Sequence, residues 1–326
     1  MARDLTNIHP DLHSVIQKFP RFPINRWTVG LMRLLQGVMP LPKPPDDVLI
    51  REESAPREAS SRPVRVWVYK PRDLTTPAPA LLWIHGGGLV IGNAQMNDRQ
   101  LATFVQALGI VVVSVEYRLA PTHPYPAAID DCYTALKWLH DRAAALGVDP
   151  ARVAVGGASA GGGLAAALAQ MAHDRGEVGI AFQLLAYPML DDRSALCADV
   201  AHPDTLTWTP QQNRFGWESY LRQPAGQAET LPYAVPGRRE DLTGLPPAWI
   251  GVGSLDLFYE ENVAYADRLR RCGVACELVV VDGAFHGFDA FMDDVPVCRD
   301  FLDEQIEGLR GYLVGGQRIE IGGKLG

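Results

Sequence analysis

The chain has 326 residues, 47% of them hydrophobic and 21% charged, with a formal net charge of −8. That is ordinary for a soluble globular protein long enough to bury a sizeable core, as one large domain or two smaller ones. The acidic balance, unrelieved by any Lys/Arg-rich run, argues against a nucleic-acid surface.

Along the chain, the polar N-terminus lacks the apolar stretch of a signal peptide. Residues 1–45 carry Pro20, Pro23, Pro40, Pro42, Pro44 and Pro45 around one helical run near Trp27–Leu35. Val48–Glu53 and Val64–Tyr69 then read as an antiparallel hairpin. From there β-branched runs alternate with helix-like segments. Strands are expected at Ala80–Ile84, Ile110–Val115, Val153–Val155, Ala181–Ala186, Ala248–Val252 and Cys276–Val281. Helices are expected at Asn97–Leu108, Pro126–Leu146, Gly161–His173 and Tyr259–Cys272. The strands Leu81–Ile84 and Ile110–Val113 are apolar at every position, as strands covered on both faces of a mostly parallel sheet must be. This alternation predicts an α/β fold with helices flanking the sheet. The long connection 188–235 interrupts it and holds Trp208, Phe215, Trp217, Tyr220 and Tyr233. A connection of that length is functional or a subdomain. We therefore expect a catalytic core at 46–187 and 236–326, and a cap from 1–45 and 188–235 over the C-terminal edge of the sheet.

Four short signals carry the chemistry. Arg152–Leu164 reads strand, sharp turn, helix around Gly157-Ala158-Ser159-Ala160-Gly161, the pattern of a nucleophile elbow. The positions two before and two after the serine must be small to avoid collision across the turn, and Gly157 and Gly161 are. Ser159 also sits at a helix N-terminus, which favours developing negative charge. The competing reading, a phosphate loop, lacks the Lys-Ser/Thr that should follow. His85-Gly86-Gly87-Gly88 follows an apolar strand, where an oxyanion loop belongs; its expected donors are the N–H groups of Gly87 and Gly88, joined by that of Ala160. His85 is expected to be structural.

His286 follows the last expected strand and is the candidate base. His9, His13, His123, His140, His173 and His202 are assigned no role. Asp256 follows Ala248–Val252 and is the candidate acid; Glu260 and Glu261 are nearby alternatives and Asp282 a weaker one. Ser, Asp and His in that chain order is the α/β-hydrolase layout. The five cysteines, Cys132, Cys197, Cys272, Cys276 and Cys298, are scattered and complete no zinc site, so they read as reduced thiols. No metal is expected. No apolar run approaches the ~20 residues of a spanning helix, and a cytoplasmic location is the expectation.

These motifs, with Glu116–Pro121 and His123–Asp131, resemble the hormone-sensitive lipase family of bacterial carboxylesterases over about residues 45–315. The resemblance implies an eight-stranded α/β-hydrolase core with a helical cap. It also implies cofactor-free hydrolysis of short- to medium-chain acyl esters by a serine carboxylesterase. The cap should supply an apolar acyl pocket, for which Leu206, Trp208 and Phe215 are the candidate substrate-binding residues. Relatives often pair through the edge strand near Cys276–Val281, so a homodimer is an expectation by analogy. Three positions depart from the family pattern: Ala158 and Thr122 replace acidic residues, and Asp256-Leu257-Phe258 replaces Asp-Pro-Leu. A non-catalytic ligand receptor on this fold, like the plant gibberellin receptors, is the alternative from another class; amidase or lactonase chemistry is the alternative within enzymes.

Overall fold

The computed structural model describes residues 5–18, 23–38, 45–57, 62–196, 207–289 and 295–315. Eight strands form a single sheet: β1 Val48–Ala55, β2 Val64–Pro71, β3 Ala78–Ile84, β4 Val111–Glu116, β5 Val148–Ala158, β6 Phe182–Ala186, β7 Ala248–Gly253 and β8 Cys276–Val281. Their order is β1-β2-β4-β3-β5-β6-β7-β8. β1 pairs antiparallel with β2, and β2 antiparallel with β4; every other pairing is parallel. The expected fold class is the observed one.

The reason lies in the strand sequences. β3, β6 and β7 are buried at every position, which only a sheet covered on both faces allows. Alternate residues divide between two cores. Leu82, Ile84, Val113, Val155 and Ile250 join one cluster, and Leu81, Trp83, Val112, Ala154 and Trp249 the other. This is the period-two alternation of a strand. The N-terminal helices are α1 His13–Lys18 and α2 Val29–Val38. α3 Asp98–Leu108 and α9 Pro296–Leu309 cover the second face. α4 Ala127–Asp141, the short α5 Ala143–Leu146, α6 Ala160–Arg175 and α8 Tyr259–Arg271 cover the first. α7 Pro210–Leu221 lies in the long connection between β6 and β7, started by a capping box of Thr209 and Gln212 with Pro210 in the first turn.

Most expected elements shift by one to three residues at an end, and two change further. The single helix expected at Pro126–Leu146 divides at Arg142, whose φ of −99° and ψ of 6° leave the helical region. β5 begins five residues before Val153, because Val148 pairs with Ala78 beyond an irregularity in the ladder with β3. The topology sets the site. β3 and β5 are neighbours, with Ile84 opposite Gly157, and β7 and β8 are neighbours, with Gly253 opposite Val281. Four loops that carry the chemical motifs therefore leave one edge of the sheet together, where open α/β sheets bind ligands.

Candidate active site

Ser159 caps α6 with φ 57° and ψ −120°, a conformation that a non-glycine residue adopts only when its surroundings impose it. They do so here. Its N–H donates to the Ala186 carbonyl, and its own carbonyl accepts from Gly163 and Met189 N–H. The crossing is tight: a Cβ on Gly157 would stand 2.5 Å from the Gly161 carbonyl, and one on Gly161 would stand 2.0 Å from the Ile84 oxygen. The small residues that flank the serine are thus required by backbone contact.

His286 Nε2 lies 2.9 Å from Ser159 Oγ, and its Nδ1 lies 2.8 Å and 3.0 Å from the two carboxylate oxygens of Asp256. The Asp256 side chain is fully buried and also accepts from the Phe258 N–H. That carboxylate holds the proton on Nδ1 and leaves Nε2 as the acceptor facing the serine hydroxyl. The other candidate acids face elsewhere. Glu261 accepts from the Leu190 N–H, and burial pushes its carboxyl well above the usual range. Asp282 accepts from Ser254 Oγ.

The imidazole is wedged between aromatic edges. Tyr187 and Phe258 meet it at centroid distances of 5.0 Å and 4.9 Å, each close to perpendicular. Tyr187 is held by its hydroxyl donating to Asp289 Oδ1, and the Thr207 hydroxyl donates to the His286 carbonyl. Sequence reasoning gives no role to Tyr187, Thr207 or Asp289, and meets Phe258 only as part of the altered Asp256-Leu257-Phe258 turn. Tyr187 carried one signal, its place directly after the C-terminal end of β6.

In the Gly86–Gly88 loop, Gly87 has φ 110° and Gly88 φ 59°, values that favour glycine. The Gly87 carbonyl accepts from Val90 and Ile91 N–H, closing the turn. Among the described residues, none accepts a hydrogen bond from the N–H of Gly87, Gly88 or Ala160. Beneath the loop, His85 donates from Nδ1 to the Gly86 carbonyl and stacks on Tyr117 at 4.2 Å; the Tyr117 hydroxyl donates to the His85 carbonyl. Burial pulls the His85 imidazole down to about 4, so it is neutral near pH 7 and acts as a structural bracket. Next to Tyr117, Arg118 forks onto the fully buried Asp131, which Arg57 also grips.

The residues expected to bind substrate have different placements. The Trp208 ring lies on Gly88, where an added Cβ would meet it at 2.0 Å, and a Cβ on Gly216 of α7 would stand 2.7 Å from the Gly88 carbonyl. Phe215 is partly buried against the first core cluster. Leu206 lies outside the described residues, as do Cys197 and His202. Thr122 accepts from Arg33, which also donates to the Val90 and Ala120 carbonyls. Cys132, Cys272, Cys276 and Cys298 are free thiols, and among the described residues no group of three or more His, Cys, Asp or Glu side chains could hold a metal ion. Nor is any described helix long and apolar enough to cross a membrane.

The sequence pattern of the alpha/beta hydrolase fold family matches residues 81–290. The chain is 34% identical to esterase LipI of Mycobacterium tuberculosis over 295 residues, covering 88% of this chain and 90% of that protein. It is 31% identical to an ethyl acetate hydrolase of Pseudomonas putida over 258 residues, covering 79% of this chain and 80% of that one. Among solved structures, a bacterial heroin esterase superposes with a TM-score of 0.85 at 35% identity, over 95% of this chain and 99% of that one. With the fold, the loops and these relatives in agreement, the chain belongs to the α/β-hydrolase fold family, in its hormone-sensitive-lipase branch of carboxylic ester hydrolases.

Proposed function

We propose that the protein hydrolyses short- to medium-chain acyl esters through a Ser159–His286–Asp256 triad and an acyl-enzyme intermediate. The observation that supports this above all is the unbroken run of hydrogen bonds from the Asp256 carboxylate through both ring nitrogens of His286 to Ser159 Oγ. In this reading Ser159 Oγ attacks the ester carbonyl carbon as its proton passes to His286 Nε2. The oxyanion so formed takes hydrogen bonds from the N–H groups of Gly87, Gly88 and Ala160, each contributing about 3–4 kcal/mol in the transition state. The C–O bond to the alcohol then breaks while His286 returns the proton to the leaving oxygen. Water enters, loses a proton to His286 and attacks the acyl carbon, and Ser159 leaves with that proton. Asp256 remains ionised throughout and stabilises the imidazolium.

Residues 1–45 and 188–235 form the cap in this proposal, with Trp208 bounding the acyl side above Gly88. Among the described residues, the space lined by Ala160, Leu164, Met189 and Trp217 measures about 10 Å³, barely room for one water, so that space admits no acyl chain. A relative named for ethyl acetate points the same way. Turnover of p-nitrophenyl esters across a series of acyl lengths tests the range. kcat/KM should be highest for short acyl groups and fall as the chain lengthens; a maximum at long chains would contradict it.

A further inference from the structure

Among the described residues, nine large hydrophobic side chains are exposed, and four of them fall on α2 and its approach: Trp27 (78%), Leu31 (58%), Leu34 (66%) and Leu35 (49%). Spacings of four, three and four residues (27 to 31, 31 to 34, 31 to 35) put them on one side of a helix. The opposite side is occupied. Val29 is buried, Met32 packs against the first core cluster, Arg33 donates to the Val90 carbonyl, and Gln36 accepts from the Gly92 N–H. The apolar stripe is thus held outward by a helix bolted down on its other face. A contiguous exposed patch of this kind marks a contact surface.

The sequence of this segment is equally one-sided in charge. Between Asp11 and Asp46 the sequence has no Asp or Glu, yet it holds Lys18, Arg21, Arg26, Arg33 and Lys43, in a chain whose formal net charge is −8. Arg26 places its guanidinium over the Trp27 ring, 4.2 Å from the centroid, at the rim of the apolar stripe. A Trp/Leu face with Arg26 at its rim, in a stretch of sequence without acidic residues, has the composition of a helix that lies in a lipid–water interface.

We propose that this face docks on the surface of anionic phospholipid bilayers. Trp27, Leu31, Leu34 and Leu35 enter the boundary between headgroups and acyl chains, and Arg26 sits at the level of the phosphates. The acidic remainder of the molecule is repelled by the same surface, so attraction is confined to this segment and fixes the orientation. A second copy fits less well, because a two-fold contact brings the same cationic segment against itself. Since α2 is bonded to Val90 and Gly92, docked lipid lies about one helix diameter, ~10–12 Å, from the oxyanion loop.

The test is co-flotation with vesicles of equal parts phosphatidylglycerol and phosphatidylcholine, against phosphatidylcholine alone, with sedimentation velocity on the same samples. The wild-type protein should float with the anionic vesicles, release at about 0.5 M salt, and bind phosphatidylcholine weakly. The double variant Leu31→Ser/Leu34→Ser alters only exposed side chains; its partitioning should fall at least about tenfold while p-nitrophenyl acetate turnover reports an intact fold. Arg26→Glu should weaken anionic binding alone. Equal binding to both vesicle types, equal binding by the double variant, or no flotation would overturn the proposal. So would a wild-type dimer abolished by the double variant, which would make the stripe a contact between copies.

Discussion

Replacing Gly161 by Ala tests the packing of the serine turn. In an open helical position this change stabilises a protein by about 1 kcal/mol. Here the new Cβ would stand 2.0 Å from the Ile84 oxygen and 2.5 Å from the His85 oxygen. Both are backbone atoms with no rotamer to change, so strand and helix must separate by at least about 1 Å. β3 is clamped between β4 and β5, and α6 buries Leu164, Ala165 and Leu168 against the sheet, so neither yields cheaply. The net effect should be a loss of about 2–3 kcal/mol, read as a lower denaturant midpoint. The two carbonyls lie at the root of the Gly86–Gly88 loop, which holds the oxyanion in the proposed mechanism, and a ~1 Å displacement of catalytic groups costs on the order of 10² in rate. kcat on p-nitrophenyl acetate should therefore fall about a hundredfold with the drop in stability. Gly30→Ala is the control: it lies in α2 with nothing within 4 Å of an added Cβ, so it should be neutral or mildly stabilising and leave kcat unchanged. A Gly161→Ala protein with wild-type midpoint and kcat would refute the close approach and the steric reasoning built on it.

Asp256→Asn should keep the fold but lose the negative charge and, with its amide oxygen held by the Phe258 N–H, turn an NH2 donor towards His286 Nδ1 and favour the wrong tautomer, lowering kcat by about 10⁴ with little change in KM; a loss under tenfold would assign orientation of the base to another group. Asp289, whose carboxyl burial pushes up to about 6 from its usual 3.8, binds its proton more tightly in the folded state. Its stabilising share is thus full below about pH 4 and is lost as pH rises through about 6. Asp289→Asn, which retains an acceptor for Tyr187, should be about 1–2 kcal/mol more stable relative to wild type at pH 8 than at pH 4. His85 has the opposite dependence, with stability lost as pH falls from 6.5 towards about 4, but it is common to both proteins and cancels in the difference. A pH-independent difference would refute the role given to Asp289.

How far the sequence disclosed this arrangement depends on whether local patterns or tertiary packing set each feature. β8 has the expected bounds, because CELVVV is a short β-branched run closed by Asp282-Gly283. Ser159, Asp256 and His286 were each picked out from the end of a strand, and one sheet edge brings them within hydrogen-bond reach. The groups around His286 were not legible: which face of the imidazole Tyr187, Phe258 and Thr207 cover follows from register and packing, which no local pattern encodes. α9 lies past the last motif and was not expected, although Phe301 and Leu309 from it complete the second core. The sequence offers Trp208 as a candidate substrate-binding residue in a long connection, but its contact with Gly88 depends on how that connection folds back, 120 residues further along the chain.

Identifying the residue that accepts the acyl group tests the central claim most directly. A p-nitrophenyl phosphonate ester carries a tetrahedral phosphorus that a serine nucleophile captures irreversibly, releasing p-nitrophenol, and peptide mass mapping then locates the adduct. The account predicts one adduct per chain, on Ser159, and none in Ser159→Ala. An adduct on another residue, or labelling that persists in Ser159→Ala, would contradict it.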